Sequence, residues 1–340
     1  MASHGQQFGV VFSGDFPLQR TLDGAVLAER LGFDTCWLGE DFFYHGGIAT
    51  ATAVAERTER IRIGLGVLSP LPRHPALTAM EVATLDEIAR GRLVLGIGSG
   101  VPAWMRQMKL MPRSPLAAMR EGVELSRRLM AGETVTAEGA CFSLDRVKLG
   151  FTPYRSDMPI YLGVEGPKGL ELSGEVADGT VISILASAKY LLWARERIAA
   201  GQVRAGRAGE PHKLVVYVIV SVDDDRSVAQ DAVRRTIAEY VGVGGPSSLT
   251  RLADVSDERV SDMNRIYRDG RLPIELVNDE MVDRLAVAGT PEDCERGIRG
   301  LIDAGADEVV FFPFPTSRLE QQLPRLAQAR TASVVAELEP

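Results

Sequence analysis

The chain has 340 residues, 45% hydrophobic and 25% charged, the proportions of an ordinary globular protein. This excludes a disordered tail protein, a collagen and a disulfide scaffold. Lys and Arg number 38 against 46 Asp and Glu, a formal net charge of −8 with no basic block, so neither nucleic acid nor an anionic membrane is an expected partner. Cys36, Cys141 and Cys294 are too few and too scattered for a metal or disulfide pattern, so reduced thiols in the cytoplasm and no metal site are expected. The opening MASHGQQFGVVFSG lacks the cationic-then-apolar order of a signal peptide, and no apolar run approaches the roughly 20 residues of a spanning helix.

Short β-rich runs alternate with helical patterns along the chain. The first strand is read at Phe8 to Gly14, followed by a helix that stops at Gly32, where glycine can adopt a left-handed conformation. Further strands are read at Thr35 to Glu40, Ile61 to Leu68, Arg92 to Ser99, Pro159 to Val164, Gly179 to Leu185, Leu214 to Val222 and Glu308 to Phe314. Helices fall between them, and the stretch ETVTAEGACFSLDRVKL reads as a hairpin insertion. Apolar runs without strict alternation fit strands buried on both faces. Eight of them in βα order predict an α/β fold, a (β/α)8 TIM barrel forming one domain over residues 1–340, with insertions after strands 4 and 7. The competing open doubly wound sheet lacks its glycine fingerprint, because the first turn reads FSGDFPLQR. Residues 242–279, with GVGGPSS, read as an irregular lid or substrate-shaping insertion.

In a barrel, chemistry sits at the carboxyl ends of the strands. Three features stand there. Glycine is dense at strand ends three, four and five, which fits either a flat ligand approaching the backbone or ordinary barrel turns. The turn Glu165-Gly166-Pro167-Lys168 opens a helix, and its free N–H groups suit a phosphate as well as they suit a plain βα turn. Lys168 is one of only five lysines. The second strand ends in EDFFYHGG, where Glu40, Asp41, Tyr44 and His45 could move protons; alternatively Asp41 caps the next segment and His45 lies on the surface. His74 reads as structural or rim-lining, Glu29 as solvated, Asp223 to Asp225 as a helix cap, and His4 and His212 as without a role.

Four blocks, AERLGFDTCWLGED, RIRIGLGVLSPLPRHPALTAMEVATLDEIARGRLVLGIGSG, PIYLGVEGPKGLELSGEVADG and AGTPEDCERGIRGLIDAGADEVVFFP, resemble the bacterial luciferase-like superfamily over nearly the whole chain. These are (β/α)8 barrels that use FMN or the deazaflavin coenzyme F420, and the second block is most similar to the F420-dependent branch, which includes methylenetetrahydromethanopterin reductase. The resemblance implies a bulge in strand three with a non-prolyl cis peptide at Gly66–Val67, pressing on the middle ring of the tricycle, with Leu68 and Ser69 following it. It implies that the coenzyme phosphate meets the backbone of Glu165, Gly166, Pro167 and Lys168. Ser99 and Gly100 would lie along the coenzyme side chain, and Glu40 would contact the deazaflavin. The pattern of the related sugar-phosphate dehydrogenases is broken at Asp41, His45 and Val101, which points away from sugar oxidation. The expectation is a homodimeric reductase passing a hydride from F420 to a small imine, iminium or activated C=C, with Asp41 or His45 as proton donor. An FMN-dependent monooxygenase and a non-catalytic flavin-binding barrel are the alternatives.

Overall fold

The computed structural model describes residues 5–335; His4 lies outside them. The first half runs β1 (Gln7–Phe12), α1 (Leu18–Arg30), β2 (Thr35–Leu38), α2 (Gly47–Arg57), β3 (Arg62–Leu68), α3 (Pro75–Ile88), β4 (Leu93–Gly98), α4 (Pro102–Gln107) and α5 (Pro115–Met130). A hairpin, β5 (Val135–Glu138) and β6 (Ser143–Val147), leads to β7 (Ile160–Gly163), α6 (Pro167–Val176), β8 (Gly179–Ile182), α7 (Ala188–Arg204) and β9 (Lys213–Val222). Then come α8 (Arg226–Gly244), α9 (Ser248–Leu252), α10 (Asp257–Arg268), α11 (Asp279–Leu285), β10 (Val287–Gly289), α12 (Pro291–Asp303), β11 (Glu308–Pro313) and α13 (Leu319–Val335).

The parallel order β9-β11-β1-β2-β3-β4-β7-β8 closes where β8 pairs back onto β9, with Gly179 opposite Lys213 and Ile182 opposite Val216. This is the closed (β/α)8 barrel expected from the strand count, with insertions after the fourth and seventh barrel strands. Alternation along each strand divides the core. Val10, Cys36, Leu38, Val216 and Phe311 face the helices, whereas Val11, Trp37, Val215, Tyr217 and Val310 fill the barrel interior. Both faces are apolar, so the strands read as continuous hydrophobic runs. Among the described residues no helix is long and apolar enough to cross a membrane.

Three expectations are corrected. Residues 242–279 are mostly helical: α8 continues to Gly244, and α9, α10 and α11 follow, burying Val260, Met263, Met281 and Val282. The polar residues that read as loop are helix caps, with Ser247 accepting from Thr250, Ser256 from Arg259 and Asn278 from Met281. Glu29 is not merely solvated. Its carboxylate accepts the N–H groups of Glu59, Arg60 and Ile61 at 3.0, 2.6 and 2.9 Å; against the opposing effect of partial burial, these bonds hold it below the usual range.

His212 has a structural place after all, at the amino-terminal side of the barrel. Its Nε2 lies 2.8 Å from Thr180 Oγ1, which in turn meets Ser173 Oγ at 2.7 Å, while Nδ1 is buried without a partner among the described residues. Burial, and then the charges of Arg195 and Arg207, push the imidazole down to about 4. A depressed histidine is neutral when folded and binds its proton more readily when unfolded. Stability therefore falls as pH drops from about 6.5 towards 4, by roughly 2–3 kcal/mol for this group. Urea unfolding of wild type and His212→Gln at pH 7.5 and pH 5 checks it: the loss between the two pH values should be smaller in the variant, and equal losses would refute the assignment.

Candidate active site

The carboxyl ends of the barrel strands surround one mouth. At β3 the ladder with β4 slips between Leu65 and Leu68, and the Gly66–Val67 peptide is cis. The bulge expected in strand three is thus present, at the expected pair. The surrounding glycines have a different use from the one first read. A Cβ at Gly98 or Gly163 would overlap the Val67 side chain, and one at Gly96 would crowd it at 3.1 Å. These glycines make the hollow that receives Val67. On the inner side, Gly64 makes room for the Trp37 indole, and Gly66 for the Tyr217 hydroxyl. Among the described residues that hydroxyl is buried with no hydrogen-bond partner, and burial first, then the Glu308 charge, push it well above the ordinary phenol range.

Leu68 does not reach the mouth, since its side chain is 1% exposed and belongs to the outer core. Ser69 is also buried; its hydroxyl donates to the Ser99 carbonyl at 3.4 Å and accepts from Leu71 N–H at 3.3 Å, tying strand ends three and four together. Ser99 itself bonds to the Gly100 carbonyl. Gly100 has φ +71°, and a Cβ on it would collide with Met105, so this turn needs glycine. Beside it, Phe42 and Trp104 pack edge to face at 5.9 Å, forming an aromatic wall.

The cluster after β2 splits. Both Glu40 oxygens accept from Arg73, each at 3.1 Å, and Arg73 also pairs with Glu81 at 2.9 Å. Asp41 does not cap the following segment. Its Oδ2 accepts Gly14 N–H at 2.7 Å and so ties β2 to the loop after β1. Burial raises Asp41 above the usual carboxylate range; Gly14 opposes this and the Asp15 charge adds to it. Burial, and then the charges of Asp41 and Asp15, raise the hydroxyl of Tyr240 on α8. His45 is exposed, with only its backbone N–H engaged, to Gly14 O at 3.2 Å. His74 caps α3 through Nδ1 and packs edge to face on Phe142 at 5.5 Å, which is the structural role expected for it.

At β7 the turn Glu165-Gly166-Pro167-Lys168 runs into α6. Gly166 is the cap residue and no side chain caps this helix, whereas Ser114, Ser187 and Asp225 cap α5, α7 and α8. The first backbone bond of the turn is Leu170 N–H to Gly166 O, so the Lys168 and Gly169 amides remain available. Gly166 has open space around it, and Gly169 must be glycine because a Cβ would sit 2.9 Å from Val164. The Tyr190 hydroxyl fixes the turn by donating to Glu165 O at 2.7 Å. Lys168 is exposed and, among the described residues, makes no ion pair. Glu165 is open to solvent, yet protein surrounds it closely enough that burial pushes its carboxyl up to about 6.

The mouth thus joins an inward-packed bulge, an aromatic wall, an uncapped helix start and two carboxyl groups shifted towards their neutral form. The family model described as luciferase-like monooxygenase matches residues 2–308. The chain belongs to the bacterial luciferase-like family. A 5,10-methylenetetrahydromethanopterin reductase of Methanolobus tindarius is 33% identical over 306 residues, spanning 89% of this chain and 93% of that protein. An F420-dependent glucose-6-phosphate dehydrogenase of Nakamurella multipartita is 31% identical, spanning 94% and 96%. The solved coenzyme F420-dependent tetrahydromethanopterin reductase from Methanopyrus kandleri superposes with a TM-score of 0.88 at 25% identity, over 98% of this chain and 99% of that one.

Sequence reasoning missed Arg73, Tyr190, Tyr217 and Tyr240 as partners in this luciferase-like mouth. Tyr217 was hidden inside LVVYVIVSV, where one tyrosine among aliphatic residues is the only signal.

Proposed function

We propose that this protein is a coenzyme F420-dependent oxidoreductase that reduces a small molecule, an imine, an iminium or an activated C=C, as a cytoplasmic homodimer. The observation that carries the coenzyme reading is the pairing, in one mouth, of the Gly66–Val67 bulge with the uncapped start of α6. A flat tricycle needs a shaped backbone surface, and a phosphate needs free amides at a helix start. Both are present, so the residues fit the group. F420-dependent relatives spanning most of the chain support the same reading, and the FMN monooxygenase alternative is not favoured.

When bound, such a coenzyme supplies or accepts a hydride at its deazaflavin carbon. The chain's own residues orient and electrostatically tune the site. Val67 is locked among Gly96, Gly98 and Gly163 and holds the bulge in place. The amides of Lys168 and Gly169, with the Lys168 ammonium, would hold the phosphate. Glu40 would meet the ring system, its carboxylate oriented by Arg73. Asp41, raised by burial, keeps a proton more readily than an ordinary carboxylate, which suits reduction of a C=N or C=C bond. Exposed His45 is the alternative proton donor. Helices α9 to α11, beyond α8, would shape the substrate side.

Parallel titrations of F420 and FMN, followed by tryptophan fluorescence, test the reading. F420 should bind at least tenfold more tightly than FMN. Lys168→Ala should weaken F420 binding about tenfold, the loss of roughly one charge-assisted contact. A preference for FMN would overturn the coenzyme assignment, and an unchanged Kd in Lys168→Ala would remove the phosphate from this turn.

A further inference from the structure

Tyr190 of α7 is fully buried, and its hydroxyl donates to the Glu165 carbonyl of the turn before α6 at 2.7 Å. The tyrosine is itself held. Its N–H donates to Ser187 Oγ at 3.2 Å, that hydroxyl donates to the Leu252 carbonyl of α9 at 3.0 Å, and the ring packs on Trp193 at 5.5 Å. A trans peptide carries its C=O and N–H on opposite sides. The Glu165–Gly166 peptide is trans, the cis bonds of the described residues being Gly66–Val67 and Phe314–Pro315. With the carbonyl held towards Tyr190, the Gly166 N–H is turned the other way. Among the described residues this N–H makes no hydrogen bond, and the place of a Gly166 Cβ is open space. Pro167 has no N–H, so Gly166, Lys168 and Gly169 supply the free amides of this helix start.

This peptide has a second orientation open to it. Turning its plane over would put the carbonyl where the N–H stands, and a carbonyl oxygen repels an anion. The flip would carry Gly166 from its φ of −86° to about +90°, a region that glycine enters freely and other residues avoid. A side-chain cap, of the kind that fixes the entry of α5, α7 and α8, would occupy the amides themselves. A donor on the opposite side of the peptide fixes the turn and leaves the amides free. We propose that Tyr190 is the positioning residue of this turn: its hydroxyl locks the Glu165–Gly166 peptide so that the Gly166 amide joins those of Lys168 and Gly169 in receiving a phosphate. The proposal rests on the placement of the coenzyme phosphate at the start of α6. Tyr190 then acts on the phosphate of a ligand and not on its ring system.

Fluorescence titrations of the intact protein with paired ligands test this: F420 against its phosphate-free deazaflavin fragment, and FMN against riboflavin. Tyr190→Phe, which keeps the ring, should weaken F420 binding about tenfold and leave the phosphate-free fragment within about twofold of wild type. Gly166→Ala, whose Cβ meets open space, should restore F420 affinity in the Tyr190→Phe background, because alanine resists the flipped φ. Equal weakening of ligands with and without phosphate would overturn the proposal, since a merely structural tyrosine would act on both. A double variant that binds no more tightly than Tyr190→Phe would overturn it too. Unchanged F420 affinity in Tyr190→Phe, with Lys168→Ala weakened, would overturn this proposal alone. Unchanged affinity in both variants would remove the phosphate from the turn and overturn the placement as well. If F420 does not bind, the FMN and riboflavin pair carries the same comparison. Binding of neither phosphate-bearing ligand would overturn the coenzyme reading and the proposal together.

Discussion

Replacement of Gly66 by alanine should weaken coenzyme binding by a hundredfold or more. A Cβ at this position would overlap the Tyr217 hydroxyl and stand 2.9 Å from Cε3 of Trp37. Neither ring has anywhere to go. Trp37 is fully buried, packs on Tyr217 at 5.8 Å and Tyr161 at 6.3 Å, and donates its indole N–H to Glu308 at 2.8 Å. The added methyl must therefore displace the backbone of the bulge, and overpacking of this kind costs about 1–3 kcal/mol in stability as well. The clash predicts its own rescue. Tyr217→Phe removes the hydroxyl that a Cβ meets first, and that hydroxyl has no partner to lose. Gly66→Ala/Tyr217→Phe should recover a good part of the lost affinity in the F420 titration. Wild-type affinity in Gly66→Ala alone would show that the coenzyme does not lie on this bulge.

Glu308→Ala should destabilise the protein by about 3–5 kcal/mol, read as a shift of the urea midpoint. Glu308 opens β11 and is 2% exposed. Its Oε1 accepts from Trp37, and its Oε2 pairs with Arg62 at 3.2 Å. Arg62 also reaches Thr35 Oγ1 at 3.0 Å and Gln7 Oε1 at 3.2 Å, so one carboxylate anchors groups from the starts of β1, β2 and β3. Deleting it leaves a half-buried guanidinium unpaired and an indole N–H without an acceptor. Glu308→Gln, which can still accept from Trp37, should cost less than the alanine variant. Equal midpoints in wild type and Glu308→Ala would mean that solvent reaches this end of the barrel.

The strand count, the βα order and the two insertions were legible in the chain itself. Local signals carried them: apolar runs of strand length, Gly32 and Gly91 at helix ends, and Pro75 at a helix start. The anion turn was legible for the same reason, because the residues that build it are consecutive. The bulge was placed at Gly66–Val67 by family resemblance, not by any property of those two residues alone. C-terminal α13 and helices α9 to α11 were not legible. In the latter, the capping residues Ser247, Ser256 and Asn278 have the composition of loops, and the apolar positions Val260, Met263 and Met281 are too few to show a period.

What only the tertiary structure decided is pairing between distant strands. Arg73 finds Glu40 33 residues away, and Tyr190 finds the Glu165 carbonyl across 25 residues. Gly98 and Gly163, at strand ends read as suiting either a flat ligand or ordinary barrel turns, turn out with Gly96 to make space for Val67. Sequence by itself determines which residues stand at strand ends, because that depends on periodicity along the chain. It does not determine which of them touch, because the closure and register of the barrel set those distances.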